Sequence, residues 1–115
     1  MTEWLDVVDK NDVVISRKSR SDCHRKKLRH RLVQVIIRRK PLFLVQKRSS
    51  KKDVFPEYYE VSISGHVWHG ETYLTAAKRE LKEELGISYP RLKKLGGFSL
   101  NGDENCFCTV FLLDN

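Results

Sequence analysis

The feature that most constrains this chain is a run of acidic residues on a predicted helix. Residues 72–85 have helical periodicity, and Gly86 stands where a helix commonly ends. The segment carries Glu80, Glu83 and Glu84 within five residues. Like charges at this spacing repel each other on a helix, so the pattern favours a positive partner among the carboxylates. A divalent metal ion is the natural candidate.

Helical geometry places these carboxylates beside the face that we expect to be buried. At about 100° per residue, Glu80, Glu83 and Glu84 share one sector of the helix. Arg79 is spaced to pair with Glu83, whereas Glu80 and Glu84 have no cation at helical spacing. The predicted apolar stripe next to this sector consists of Leu74, Ala77, Leu81 and Leu85. Carboxylates at the rim of a core are costly unless they are paired or bind a metal, which again predicts a metal site.

The length and composition predict a single globular domain over residues 1–115, with 40% hydrophobic and 32% charged residues. No apolar run approaches the roughly 20 residues that cross a bilayer, and the acidic start is unlike a secretory signal, so we expect no membrane contact. The three cysteines are too few, and odd in number, for a disulfide framework, which indicates a reducing cytoplasm. They are Cys23, Cys106 and Cys108.

The positive charge of the chain is concentrated in its first half. Residues 1–60 hold 16 Lys and Arg against 8 Asp and Glu. Such a balance favours an anionic partner, which is a phosphate ester, a nucleotide or a nucleic acid. A solvated surface accounts for these side chains equally well.

Short apolar segments elsewhere predict strands. An N-terminal hairpin is predicted over residues 4–17, followed by a short helical turn over residues 22–26 that Ser21 would cap. The further predicted strands are 32–38, 42–48, 58–64, 92–100 and 106–113. Strands around one central helix predict an α+β fold or a mixed α/β fold.

The acidic stretch also matches a known motif. Its fixed residues follow the pattern G-x5-E-x7-R-E-U-x-E-E-x-G-U, where U is apolar. They are Gly65, Glu71, Arg79, Glu80, Leu81, Glu83, Glu84, Gly86 and Ile87. This pattern is the Nudix box, and the chain therefore resembles the Nudix hydrolases. The segment from 47 to 67 is similar to the branch that contains isopentenyl-diphosphate isomerase.

The resemblance implies an α/β/α sandwich, with a mixed sheet and the loop–helix–loop of the box. The family normally has another helix after the last strands, and this sequence ends at Asn115 directly after a predicted strand. We therefore expect a domain that is truncated at its C-terminus. An uncovered sheet face would expose Phe111 and Leu113 and favour self-association as a homodimer.

For the site, the resemblance implies hydrolysis of a nucleoside diphosphate linked to another moiety, with Mg²⁺ or Mn²⁺. The metal ligands would be Glu80, Glu83 and Glu84, with Glu104 as a further candidate. The catalytic set would be Glu80, Glu83 and Arg79, and either glutamate could accept a proton from the attacking water. Structural roles in the box would fall to Gly65, Glu71 and Gly86. The candidates for contacting substrate phosphate are Arg48, Lys52 and His66.

Two other functions are open. An isopentenyl-diphosphate isomerase would carry a cysteine directly before the box glycine and a second glutamate in the last strand. This chain has Ser64 and, by alignment, Cys106 at those positions, so hydrolysis is favoured. A non-catalytic module that binds a nucleotide or RNA is the other alternative, although a binder has no need of the complete set of box glutamates.

Overall fold

The computed structural model describes residues 2–47, 59–102 and 104–114. In chain order the elements are β1 Trp4–Val8, β2 Val14–Ser19, α1 Arg20–Arg25, β3 His30–Arg39, β4 Leu42–Phe43, β5 Val45–Lys47, β6 Tyr59–Val61, β7 Ile63–His66, α2 Tyr73–Leu85, β8 Lys93–Leu100 and β9 Cys106–Asp114. None of the helices in these ranges is long and apolar enough to cross a membrane.

The centre of the fold is a mixed sheet built around β3. On one side β3 runs parallel to β9, with His30 opposite Cys106 and Arg38 opposite Asp114, and β9 continues to β8 in antiparallel register. On its other side β3 pairs antiparallel with β7 and, further along, with β4. The predicted α+β class is therefore confirmed, with apolar β3 as the central strand.

The predicted strands 42–48 and 58–64 are each interrupted, near the point where the pairing of β3 changes from β7 to β4. Ser62 separates β6 from β7, and Leu44 separates β4 from β5, so 42–48 and 58–64 are not continuous strands. The buried Ser62 hydroxyl accepts a hydrogen bond from the Ile37 amide at 2.7 Å and donates one to the Leu44 carbonyl at 2.6 Å. A side chain thus satisfies backbone groups at this junction, which strand periodicity does not reveal.

Helix α2 packs on the face of the sheet that carries Val33 and Val35. The shared core consists of Val33, Val35, Ile63, Val67, Ala76, Ala77, Leu81 and Phe111. The predicted apolar stripe was wrong at both ends of the helix, since Leu74 is 39% and Leu85 is 41% exposed. The buried residues of α2 are Ala76, Ala77 and Leu81, so Ala76 takes a place in the core that the predicted stripe did not include.

The expected exposure of Phe111 and Leu113 is also wrong. Phe111 is buried in the core and Leu113 packs against it, because both lie on the side of β9 that faces α2. Strands β4, β5 and β8 do expose large apolar side chains, which include Leu42, Phe43, Val45, Leu95 and Phe98. Self-association as a homodimer stays a prediction.

The N-terminal hairpin is present as β1 and β2, with α1 directly after it. Ser19, and not the predicted Ser21, caps α1, because its hydroxyl accepts the Asp22 amide at 3.1 Å. A second small core of Leu5, Val7 and Cys23 holds this unit together and includes part of Trp68. The hairpin is thereby fixed to the loop before α2.

Replacing Ser62 by alanine is expected to lower the free energy of unfolding by about 1–3 kcal/mol, because the Ile37 amide and the Leu44 carbonyl lose their partner. Unfolding in urea measures the change. Ser99→Ala on exposed β8 is the control and should stay within about 0.5 kcal/mol of the wild type. A Ser62→Ala protein as stable as that control would contradict the role given to the hydroxyl.

Candidate metal and catalytic site

The helix that carries the box residues begins and ends where its sequence indicates. Thr72 caps its N-terminus, and the side chains of Thr72 and Thr75 each bond the other's backbone amide. Gly86 ends the helix in a left-handed conformation with φ 68°, which favours glycine. These two ends set the position of the acidic residues along the sheet.

Arg79 is the central side chain of the site. Its Nε lies 2.8 Å from Glu71 Oε2 and its Nη2 lies 3.0 Å from Glu71 Oε1, so the two side chains form a forked pair. The same Nη2 donates to the His66 carbonyl at 2.8 Å, while Nη1 donates to Glu80 Oε1 at 2.9 Å. The guanidinium also lies 3.4 Å from the centre of the Trp68 ring. One side chain therefore joins the box loop, strand β7 and the helix.

These contacts correct the predicted pairing. The contact of Arg79 with Glu83, at 3.4 Å, is the longest of its carboxylate contacts, and Glu71 is its main partner. Glu80 also forms an ion pair, because the guanidinium of Arg79, the preceding residue, contacts its carboxylate. Helical spacing identifies neighbours three and four residues apart, and it does not show a contact made through the fold.

Gly65 provides the space in which the Glu80 carboxylate lies. A Cβ atom at residue 65 would overlap Glu80 Oε1, so this position of Glu80 requires glycine. Burial raises the pKa of Glu80, and the hydrogen bond and charge of Arg79 reduce that rise. Glu71 in turn accepts a hydrogen bond from the Trp68 amide at 2.8 Å, which joins the two residues within the loop before α2.

Glu83 and Glu84 are exposed on the turn after Glu80. Of the three carboxylates, that of Glu80 is half-buried and held by Arg79, and those of Glu83 and Glu84 face solvent. Carboxylate oxygens of this kind fit Mg²⁺ or Mn²⁺, which bind through a few carboxylates and complete their shells with water and phosphate oxygens. The donor set is suited to such an ion.

A second cluster of possible ligands was not predicted from the sequence. His24 of α1, His30 of β3, His66 of β7 and Glu104 before β9 each offer a ligand atom, and these four atoms lie within 4.8 Å of one another. The Nε2 atoms of His24 and His66 are 3.2 Å apart, and Nε2 of His30 is 2.9 Å from Glu104 Oε1. We call these four residues the histidine cluster.

The hydrogen bonds of His30 suit a metal ligand. Its Nδ1 lies 2.8 Å from the Leu28 carbonyl, which can only accept, so Nδ1 carries a proton. Its Nε2 lies 2.9 Å from Glu104 Oε1, so the two atoms are placed to share one metal ion. Metal-binding histidines commonly donate their other ring N–H to a carbonyl in this way.

The other members agree with that interpretation. Burial, together with the charges of His30, Arg20 and His24, lowers the pKa of His66 to about 3, so its imidazole is neutral at neutral pH and one of its ring nitrogens is an acceptor. The hydrogen bond from His30 lowers the pKa of Glu104 despite partial burial, which keeps it ionised. Nitrogen ligands with one carboxylate suit Zn²⁺, Mn²⁺ or another transition metal.

The two ligand sets lie on opposite faces of the same strand end. In β7, Gly65 pairs with Val33 and His66 pairs with Leu32. Since consecutive strand residues face opposite sides, the Gly65 position faces α2 while His66 faces the histidine cluster. Arg79 bridges the two, because it binds both the His66 carbonyl and Glu80.

The structure separates the predicted site residues into groups. Glu80, Glu83 and Glu84 lie together on α2, whereas Glu104 joins the histidine cluster. His66 also joins that cluster, although the sequence suggested it only as a contact for phosphate. The two other candidates for phosphate binding, Arg48 and Lys52, lie outside the described residues.

His24 and His30 were missed because no local spacing connects them with His66 and Glu104, which are 36 or more residues further along the chain. In the structure His30 begins β3 and His66 ends β7, whereas His24 lies within α1, so no shared position in the elements identifies the group. The parallel pairing of β3 with β9 brings His30 near Glu104, and this long-range contact cannot be deduced from the spacing.

Comparisons with known proteins place these features in one family. The model of the NUDIX domain matches residues 28–114. An uncharacterized Nudix hydrolase of Yersinia pestis is 36% identical over 110 residues, which are 95% of this chain and 59% of that protein. The uncharacterized Nudix hydrolase YfcD of Escherichia coli is 35% identical over 106 residues, which are 91% of this chain and 58% of that protein.

A solved structure is also similar. The crystal structure of a hypothetical Nudix protein of Deinococcus radiodurans matches this chain with a TM-score of 0.83 and 32% identity. The matched region is 98% of this chain and 72% of the Deinococcus chain. The chain spans somewhat less than two thirds of the length of the two curated relatives.

Arg79→Met is expected to lower the free energy of unfolding by about 3–5 kcal/mol, because it leaves the half-buried Glu71 carboxylate without its partner. Denaturant unfolding measures this, with Lys78→Met on the exposed side of α2 as the control. The double variant Glu71→Met with Arg79→Met should lose less than the sum of the single losses. Additive losses would show that the pair is not coupled.

The histidine cluster predicts that Zn²⁺ stabilises metal-free protein by about 2.7 kcal/mol at a hundred times its Kd. His24→Ala should remove this effect, since it deletes one of four ligands. His69→Ala is the matched control, because the fourth histidine lies outside the cluster, bonded to Asp6. Calorimetric titration measures the Kd of Zn²⁺, and thermal unfolding measures the stabilisation. Equal stabilisation of both variants by Zn²⁺ would contradict the assignment.

Proposed function

Since the chain belongs to the Nudix family, we propose that it is a hydrolase that cleaves a phosphorus-containing anhydride with the help of a divalent cation. The proposed substrate is a small diphosphate in which a nucleoside diphosphate is linked to another moiety. The observation that carries the proposal is the complete set of box carboxylates on α2, with Glu80 seated against Gly65 and held by Arg79.

We propose two metal-binding positions. Glu80, Glu83 and Glu84 would hold Mg²⁺ or Mn²⁺, whose ligands are normally oxygens. The histidine cluster would hold a transition metal, which nitrogen ligands favour. A divalent cation bound at the box would neutralise charge on the diphosphate and promote attack by water on phosphorus.

Residues of the chain would position the metal ligands and accept the proton of the attacking water. Arg79 is a positioning residue, because its contacts fix the Glu80 carboxylate relative to β7. Glu80 or Glu83 would accept the proton of the attacking water, and the exposed position of Glu83 leaves it accessible to a substrate. Gly65 would keep the space that Glu80 occupies.

Isomerisation of isopentenyl diphosphate is less well supported. That chemistry needs an acid and a base on opposite sides of a carbon skeleton. Ser64 replaces the expected cysteine, and Cys106 stands at the position of the expected glutamate. Burial and the charge of Glu104 raise the pKa of the Cys106 thiol to about 11, so it is neutral at pH 7 and does not replace a carboxylate.

Binding of a nucleotide or RNA without hydrolysis is the remaining alternative, and no contact among the described residues of the site specifically favours it over hydrolysis. A cytoplasmic location stays a prediction, with which the three free cysteines agree.

The proposal predicts Mg²⁺- or Mn²⁺-dependent hydrolysis of at least one member of a panel of diphosphates. The panel contains ADP-ribose, NADH, dinucleoside polyphosphates, nucleoside triphosphates and isopentenyl diphosphate. Glu80→Gln is expected to lower kcat by about 10²–10⁴-fold, because it removes a metal ligand or the base. Release of phosphate or a nucleoside monophosphate, measured by chromatography, reports the activity.

Lys82→Gln is the matched control for Glu80→Gln, since it also changes the charge of α2 but lies among its exposed residues. Turnover that persists in Glu80→Gln, or that needs no metal ion, would contradict the proposed mechanism. Conversion of isopentenyl diphosphate to its isomer would overturn the choice of reaction.

A further inference from the structure

A pocket lies where the N-terminal hairpin meets the box loop. It is lined by Thr2, Glu3, Trp4, Arg17, Trp68 and His69 and has a volume of about 290 Å³. Backbone contacts fix its two sides relative to each other, because Leu5 forms a β-bridge with Trp68 and the His69 amide donates to the Trp4 carbonyl at 2.7 Å. The volume is at the lower end of the roughly 300–1,000 Å³ typical of ligand pockets, which suits one ring system better than a whole nucleotide.

Both tryptophans of the chain line this pocket. Trp68 is held in place, since its Nε1 donates to Glu3 Oε1 at 2.8 Å and the Arg79 guanidinium lies over its ring. Trp4 is 45% exposed, with the Arg17 guanidinium 5.0 Å from its ring centre. Indole rings that remain accessible in a fixed pocket are suited to stacking with another flat ring.

The polar groups around the rings are fixed as well. Buried Asp6 lies 2.6 Å from Nδ1 of His69, so it orients a ring that is half-exposed. The Glu3 carboxylate is held by Trp68 and by Arg20, at 3.1 Å. Burial alone would raise its pKa, but these hydrogen bonds and the charges of Arg20 and His66 together lower it, so Glu3 is an ionised acceptor at neutral pH.

The indole rings and the charged groups beside them favour some flat ligands over others. A carboxylate beside the rings repels a phosphate group and accepts N–H donors, such as the exocyclic amino group of a base. The guanidinium of Arg17 supplies donors at the same pocket. Nucleobases offer a stacking face together with donors and acceptors on their edges, and they therefore match the pocket.

We propose that this pocket binds the nucleobase of the substrate, with a preference for bases that carry an exocyclic amino group. The proposal rests on the proposed function for the existence of a nucleotide substrate. It is consistent with the position of the pocket, because Arg79 lies over Trp68 and also binds Glu80. Arg79 thus lies between Trp68 of the pocket and Glu80 of the box.

The test uses the two indole N–H signals in NMR spectra of the ¹⁵N-labelled chain. Because the chain has two tryptophans and both line the pocket, both signals report on it. Nucleoside monophosphates are titrated in the presence of a chelator, so that binding is measured without any hydrolysis. AMP, GMP and CMP should shift the indole signals saturably and UMP several-fold more weakly, while ribose 5-phosphate should not shift them.

Trp4→Ala should weaken binding of AMP by about tenfold or more, because a stacking surface is lost, whereas Trp4→Phe should retain much of the affinity. The Trp68 indole signal in each variant reports whether the hydrogen bond to Glu3 persists, and hence whether the pocket is intact. Tyr89→Ala is the matched control, since this aromatic ring is 97% exposed and outside the pocket.

Two results would overturn the proposal. One is equal shifts with ribose 5-phosphate and with AMP, and the other is an unchanged Kd for AMP in folded Trp4→Ala. Failure of the hydrolysis assay with intact indole shifts would reject the proposed reaction and keep the pocket. Hydrolysis of nucleotide substrates with no indole shift would reject the pocket and keep the reaction.

Discussion

The guanidinium of Arg79 is the interaction on which the candidate site depends. It forms a forked pair with Glu71 in the box loop, binds the His66 carbonyl in β7 and reaches Glu80 on its own helix. A planar guanidinium can direct several donors at once, which an ammonium group cannot do in the same geometry. The loop, strand and helix therefore have one relative arrangement. The stacking of the same group on Trp68 extends that arrangement to the hairpin side of the domain.

Two chemically different ligand sets result from this arrangement at the end of β7. Gly65 faces the carboxylates of α2, and His66 belongs to the histidine cluster. The first set offers oxygen atoms that suit Mg²⁺ or Mn²⁺, and the second offers mainly nitrogen atoms that suit transition metals. The two candidate metal sites thus meet at consecutive residues of β7, and a change in the backbone of this strand would affect both.

Local patterns predicted the box helix, its end at Gly86, the central strand and the N-terminal hairpin, because each depends on the chemistry of neighbouring residues. The predictions failed where distant groups compete with local preference. Ser62 interrupts a strand because its hydroxyl bonds backbone groups of β3 and Leu44. Phe111 is buried because the register of β9 with β3 places it opposite Val35, on the side of the sheet that α2 covers.

The sequence by itself determined the family and the box glutamates, because the motif consists of residues at fixed local spacing along one loop and one helix. The acidic residues of that helix, in a basic chain, already indicated a cation. Only the tertiary structure decided that Glu80 is paired with Arg79 and that Glu104 lies with three histidines. These contacts join residues up to 80 positions apart, and their geometry follows from strand pairing and packing, which local spacing does not specify.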